Sequence, residues 1–256
     1  MILTVDVGNT NIVLALFDGQ KITAVSRIST VRDRMADEYA VLIRNIALLH
    51  GVDLSMVTGA IISSVVPPLT SQIRRAIKRV FGVHALTVGP GLKTGLNIKI
   101  DDPSQLGSDL VCGSVAAIEK YPLPCVVIDL GTATKFSAID KNGAFLGVSI
   151  SPGIKLSLDA LSQGAAQLPH INFDLAPKSV IGTNTIDSMR SGIIFGSASM
   201  IDGMVERFKS ELGDDLTVVA TGGFAEDIVP HCRSKILCDR DLILEGLYTL
   251  YNKNTK

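Results

Sequence analysis

Val126-Val127-Ile128-Asp129-Leu130-Gly131-Thr132-Ala133-Thr134 decides the fold, because it restates the opening of the chain, Ile2-Leu3-Thr4-Val5-Asp6-Val7-Gly8-Asn9-Thr10. In each copy an apolar run reads as a strand, and an acidic Gly-hydroxyl cluster ends it. The chain then re-enters an apolar strand, Asn11 to Phe17 in the first copy and Phe136 to Ile139 in the second. Asp18-Gly19 and Asn142-Gly143 follow those strands. Asp-Gly and Asn-Gly between apolar runs are strong hairpin signals, because tight hairpin turns demand positive φ. Two hairpins that direct two Asp-x-Gly-hydroxyl turns at a shared cleft describe a phosphate clamp.

Working outward, strands and helices alternate. Ile2–Val7, Ile12–Phe17 and Ile22–Arg27 form a three-stranded meander, and Tyr39, Leu42, Ile43, Ile46 and Leu49 give a helical stripe over Ala36–Leu49. Gly59–Val66 reads as a buried strand, and Pro67-Pro68 opens a helix reaching Val80. A short strand, Val83–Val88, precedes the glycine-rich loop Gly89 to Gly95. A helix runs from near Gln105 to about Lys120, and Pro122 and Pro124 mark the boundary before the second hairpin. The second half adds helices at Gly153–Leu161 and Thr185–Leu212, a strand at Leu216–Ala220, a short helix after Thr221-Gly222-Gly223, and a closing helix at Leu242–Tyr251.

Composition narrows the function classes. With 46% hydrophobic and 19% charged residues in 256, the chain is an ordinary globular one. A net charge of −1 leaves no footprint for nucleic acid or an anionic membrane. The N-terminus enters a strand without a basic region ahead of an apolar core, so no secretory leader is expected. The uncharged stretch Leu54 to Ile73 contains Pro67-Pro68 and several hydroxyls, and reads as strand plus helix, not as a membrane span. Cys112, Cys125, Cys232 and Cys238 lack paired spacing and lie in or beside apolar segments, which fits buried, reduced thiols in the cytoplasm. His50, His84, His170 and His231 have no ligand spacing, so no zinc site is expected.

The turns carry the chemistry. Gly8 lets the backbone approach a phosphate, while Asn9 and Thr10 offer amide and hydroxyl donors. Asp6 would repel a bare phosphate, so its useful role is to hold Mg²⁺. Asp129 to Thr132 repeats the arrangement, and Thr221-Gly222-Gly223 leaves room for a base or ribose. Asp109, in the first turn of its helix, suits an acceptor for a substrate hydroxyl. Taken alone it reads first as a residue that complements the helix dipole.

These residues together resemble the type III pantothenate kinases of the acetate and sugar kinase, Hsp70 and actin superfamily. The resemblance spans the chain through Asp6-Val7-Gly8-Asn9-Thr10, Pro90 to Leu96, Gly107-Ser108-Asp109, Asp129 to Ala133, Ile150 to Gly153, Gly182 with Asn184-Thr185, Thr221 to Ala225, and Asp241 to Leu247. It implies an α/β fold of duplicated RNase H-like (actin-like ATPase) halves, 1–120 and 121–256, each a mixed sheet headed by a β-meander with flanking helices. It further implies ATP-dependent phosphorylation of pantothenate, the first step toward coenzyme A, by a cytoplasmic homodimer. By the same resemblance Asp6, Val7, Gly8, Asn9, Thr10, Asn11, Ile12, Val13 and Thr132 bind ATP, with Mg²⁺ on Asp6 through the phosphates. Asp109 is the catalytic residue, an ionised carboxylate facing the hydroxyl; Gly107, Ser108, Leu110 and Thr185 join it in lining pantothenate; Asp129 holds a monovalent cation, K⁺ or NH₄⁺. Gly192 and Gly196 allow either close helix packing at the dimer interface or packing within the chain.

Two positions depart from the family pattern. Leu110 stands where an arginine usually follows the aspartate, and leucine offers no donor. Lys135 ends the second glycine turn in place of a hydroxyl and brings an ammonium to the expected cation. It either stands in for that ion or blocks its site. The alternative function is accordingly a non-catalytic or substrate-shifted paralogue that binds nucleotide as a regulatory or partner subunit.

Overall fold

The computed structural model describes residues 1–165, 167–172, 177 and 179–255. In chain order its elements are β1 (Ile2–Val7), β2 (Asn11–Asp18), β3 (Lys21–Ser29), α1 (Ala36–Leu49), β4 (Gly59–Ser64), α2 (Pro67–Phe81), β5 (Ala85–Thr87), β6 (Asn97–Ile98) and α3 (Ser108–Lys120). They continue with β7 (Cys125–Leu130), β8 (Ala133–Ile139), β9 (Ala144–Pro152), α4 (Ile154–Gly164), α5 (Thr185–Leu212), β10 (Thr217–Thr221), α6 (Ala225–Ile228), β11 (Leu237–Cys238) and α7 (Leu242–Thr255). Two units result, one of Met1–Leu96, Asp101–Ala116 and Leu242–Lys256, the other of Asn97–Ile100 and Ala117–Asp241.

The first unit is built on a five-stranded sheet in the order β3-β2-β1-β4-β5. The meander is antiparallel, whereas β4 runs parallel to β1 and β5 parallel to β4. Asp18 pairs with Lys21, so the first hairpin closes through Gly19 and Gln20, and Gly19 alone takes the positive φ, 55°. Alternation along β1 puts Leu3, Val5 and Val7 on one face, where they pack with Tyr39, Ile43 and Ala47 of α1 and Leu69, Ile73 and Ile77 of α2. The opposite face receives α3 and α7: Ile61 clusters with Val111, Cys112, Val115, Leu247 and Leu250. Phe17 stacks on Tyr248 with ring centroids 4.5 Å apart. Two glycines make the close approach of α7 possible, since a Cβ on Gly59 would strike the Tyr251 ring and one on Gly246 the Cys112 carbonyl. The closing helix, far from β1 in sequence, therefore belongs to the unit that opens the chain.

The second unit has a six-stranded sheet, β11-β10-β7-β8-β9-β6, again an antiparallel meander (β7, β8, β9) with a parallel neighbour, β10. Val126, Ile128 and Leu130 share a face with Phe136 and pack against Ile154 and Leu158 of α4 and Ile193, Ile194, Ile201 and Val205 of α5. The side chain of Asn184 caps α5 by accepting from the Asp187 amide at 2.9 Å. The thiols depart from the expectation of uniform burial. Cys112 and Cys125 are buried, Cys232 is half-buried, and Cys238 is exposed because β11 is a two-residue edge strand. Burial pushes the Cys125 and Cys232 thiols up to about 12. Among the described residues no helix is long and apolar enough to cross a membrane.

Candidate active site

In the first unit Asp6 closes β1, opposite Val13 of β2 and beside Ser63 of β4. Since Val5 and Val7 face α1 and α2, the Asp6 side chain lies on the face that carries α3. The turn after it is tight, with the Gly8 amide donating to the Asn11 carbonyl at 2.9 Å. A Cβ on Gly8 would come within 3.0 Å of that same oxygen. Asn9 and Thr10 are exposed at the tip. The end of β3 braces them: the Thr30 hydroxyl donates to the Gly8 carbonyl at 2.7 Å, and the Thr30 amide donates to the Thr10 carbonyl at 2.9 Å. Arg32 Nη2 donates to Asn9 Oδ1 at 3.1 Å, which brings a cation to the turn.

Asp109 reaches the same region through the start of α3. Ser108 is buried, its hydroxyl 3.0 Å from Ser63 Oγ; it also accepts from the Ser64 amide at 2.9 Å and donates to the Ser64 carbonyl at 3.1 Å. Of the stretch Gly107 to Leu110, Ser108 is thus the anchor that ties α3 to the end of β4. The Leu110 amide donates to Asp109 Oδ1 at 2.9 Å, a backbone contribution that any residue at 110 can make. Gly107 leaves the space the carboxylate needs, since a Cβ there would lie 2.6 Å from Asp109 Oδ1. Burial raises the Cys112 thiol well above its ordinary range, and the carboxylates of Asp6 and Asp109 both add to the rise. β4 thus brings the two aspartates toward one region, since its Ser63 lies beside Asp6 and contacts Ser108, the neighbour of Asp109. Asp6 is the kind of hard oxygen donor that Mg²⁺ takes together with phosphate oxygens and water, so it fits that ion.

In the second unit Asp129 closes β7 as Asp6 closes β1, but its cross-strand partner is Lys135. The ammonium lies 2.6 Å from Asp129 Oδ2, with side-chain exposures of 17% and 14% for Lys135 and Asp129. The hairpin here is a residue shorter, Leu130 pairing with Thr134 where Val7 pairs with Ile12. Two glycines bracket the turn: a Cβ on Gly153 would collide with the Gly131 and Thr132 carbonyls, and one on Gly222 would lie 2.7 Å from Asp129 Oδ1 and the Leu130 backbone. The room that Gly222 leaves, read from sequence as space for a base or ribose, is filled by this turn. Thr132 is exposed at its tip. Thr185, the first residue of α5, lines an open recess with Leu168, Gly182, Thr183, Asn184 and Ser188.

A family model described as type III pantothenate kinase matches residues 2–207. The type III pantothenate kinase of Exiguobacterium sp. is 44% identical over 256 residues, with 100% of both chains covered. The chain belongs to the type III pantothenate kinase family. The type III pantothenate kinase of Geobacter sulfurreducens is 41% identical over 254 residues, covering 99% of each chain. Among solved structures, the putative 2-dehydro-3-deoxygalactonokinase of Sinorhizobium meliloti superposes with a TM-score of 0.59 at 12% identity, covering 99% of each chain. At that identity the likeness shows the fold alone, that of duplicated actin-like ATPase units with mixed sheets.

Membership of the type III pantothenate kinases sets the two sequence departures in context. Leu110 supports Asp109 through its backbone, so the aspartate keeps its hydrogen bond without an arginine beside it. Lys135 is an ordered partner of Asp129. Residues that sequence reasoning passed over are Ser63, Thr30 and Arg32. Ser63 comes into view only once β4 is seen to pair in parallel with β1, with Ser63 in register with Asp6.

Proposed function

We propose that the chain phosphorylates pantothenate at the expense of ATP, giving 4'-phosphopantothenate and committing it to coenzyme A. Full-length identity to type III pantothenate kinases supports the reaction, and the observation that carries its chemistry is the contact of Ser108 with Ser63, which ties the helix start bearing Asp109 to the strand beside Asp6 in the first unit. The turn from Asp6 to Val13 takes the triphosphate, with backbone amides and the Asn9 and Thr10 side chains as donors, and Thr132 contributes a hydroxyl to ATP. When bound, Mg²⁺ on Asp6 and the phosphates supplies neutralisation of the triphosphate charge.

The protein's own work is to position the reactants and accept a proton. Pantothenate lies against Gly107 to Leu110 and Thr185. Its primary hydroxyl donates to the Asp109 carboxylate, which orients the oxygen lone pair toward the γ-phosphorus. The new oxygen–phosphorus bond forms as the bond from the γ-phosphorus to the β–γ bridging oxygen breaks. ADP leaves with the bonding electron pair, and the hydroxyl proton passes to Asp109 and then to solvent. Such a transfer draws its rate chiefly from alignment and charge stabilisation. Ser108 serves it indirectly, by holding the first turn of α3 against β4.

A homodimer in the cytoplasm goes with this reading. Gly192 and Gly196 lie exposed on α5, and a Cβ on either would meet nothing within 4 Å, which leaves a small-residue stripe open to close helix approach. The test is ADP release by the purified protein with ATP and Mg²⁺, with and without pantothenate. Release that rises with pantothenate supports the reading; release indifferent to pantothenate counts against it.

A further inference from the structure

We propose that Lys135 is a built-in counter-ion that replaces a dissociable monovalent cation at Asp129, so that this kinase works without K⁺ or NH₄⁺. The inference rests on the kinase reading above and concerns the charge balance of its second glycine turn. Asp129 stands at the end of β7, immediately before the Gly131-Thr132 turn, so an anion brought to Thr132 approaches a carboxylate. That carboxylate needs a fixed positive charge beside it for the anion to be tolerated. Strand register supplies one. Asp129 and Lys135 are directly opposed across β7 and β8, and residues so paired project from the same face of a sheet. The Nζ–Oδ2 distance of 2.6 Å is that of a charge-assisted hydrogen bond, and both side chains are more than four-fifths shielded.

The residues present do not fit a second cation. A monovalent ion on Asp129 would share one carboxylate with an ammonium already bonded to it, and two like charges at that separation repel strongly where water is scarce. On the other side of the group, Gly222 brings its backbone so close that a Cβ would lie 2.7 Å from Asp129 Oδ1. The position opposite Asp6 in the first unit is Val13, which carries no charge. The two turns therefore differ at the cross-strand position, which holds an ammonium beside Asp129 and an apolar side chain beside Asp6. A tethered charge needs no free ion in solution.

The test uses the full-length protein freed of K⁺ and NH₄⁺ and kept in a bulky organic cation. Pantothenate turnover and Mg·ATP affinity by calorimetry are measured before and after adding KCl or NH₄Cl. Both quantities are expected to stay within about twofold for the unsubstituted protein. Lys135→Thr is expected to lose at least about tenfold in ATP affinity without those ions and to regain it when K⁺ or NH₄⁺ is added. Cation rescue separates a charge role from a purely structural one, since a misfolded variant would not recover. A more than tenfold stimulation of the unsubstituted protein overturns the proposal, as does a Lys135→Thr protein that binds ATP normally without either ion. The calorimetric arm decides the matter even where pantothenate proves not to be the acceptor, so failure of the kinase reading shows separately, as absent turnover with intact ATP binding.

Discussion

Ser108 Oγ lies 3.0 Å from Ser63 Oγ, and this contact joins the helix that carries Asp109 to the strand that flanks Asp6. The same hydroxyl satisfies the Ser64 amide, so its removal leaves a part-buried donor without its partner. Ser108→Ala is expected to lower stability by about 1–3 kcal/mol and to reduce turnover more than ATP affinity, because α3 loses its register on β4. Denaturant unfolding and calorimetric ATP binding check both halves. A variant with unchanged midpoint and unchanged turnover would remove Ser108 from the account.

Asp109 is assigned the substrate proton. Asp109→Asn keeps the size and the hydrogen bond to the Leu110 amide but gives up basicity. Turnover is expected to fall by about 10²–10⁴ while Mg·ATP affinity stays near normal. Steady-state kinetics beside calorimetry read the two separately, and undiminished turnover would contradict the assignment.

Gly222 and Gly213 both have positive φ, 94° and 106°, yet only Gly222 is crowded. Gly213→Ala meets nothing within 4 Å and bears the backbone cost alone, about 1–3 kcal/mol. Gly222→Ala adds a collision with Asp129 and the Leu130 backbone, so it is expected to cost clearly more and to disturb nucleotide binding. Equal destabilisation by the two substitutions would show that Gly222 does not pack on the turn.

Asp202, on α5, accepts from the amides of Arg233 and Ser234 at 2.8–3.0 Å. Burial works to raise its pKa, but these amides outweigh it and hold the carboxyl below its ordinary value. A depressed folded-state pKa contributes stability that is present above the unfolded value of about 3.9 and disappears as pH falls through the folded one. Asp202→Asn is therefore expected to destabilise the protein at neutral pH by about 1–2 kcal/mol, with the gap closing below about pH 3.9. Unfolding curves at several pH values check this; a gap that persists at low pH would contradict it.

Much of the fold was legible because its signals are local. The repeated Asp-x-Gly turns and the glycines at 19 and 143 announce both meanders, and the long helix runs, as read, over Thr185–Leu212. The two-residue strands β6 and β11 escaped, since their pairing with β9 and β10 comes from tertiary context and leaves no periodic trace. The home of α7 escaped too, because Gly59 and Gly246 reveal their purpose only when Tyr251 and Cys112 are seen to need the space. In the site, Asp6 and Asp129 stand out as acids at strand ends. Asp109 looks like any first-turn acid until Ser108 is seen holding its helix to Ser63. The ammonium of Lys135 was expected near the Asp129 cation from the family pattern, and the hairpin register makes the two residues direct cross-strand partners.

The account stands on one transfer, from ATP to the primary hydroxyl of pantothenate. The most direct measurement is mass spectrometry of pantothenate after incubation with the purified protein, ATP and Mg²⁺, with ADP counted in the same sample. The account predicts a product heavier by one phosphoryl group, formed in equal amount to the ADP. Pantothenate recovered unchanged from a folded protein that binds Mg·ATP would contradict it.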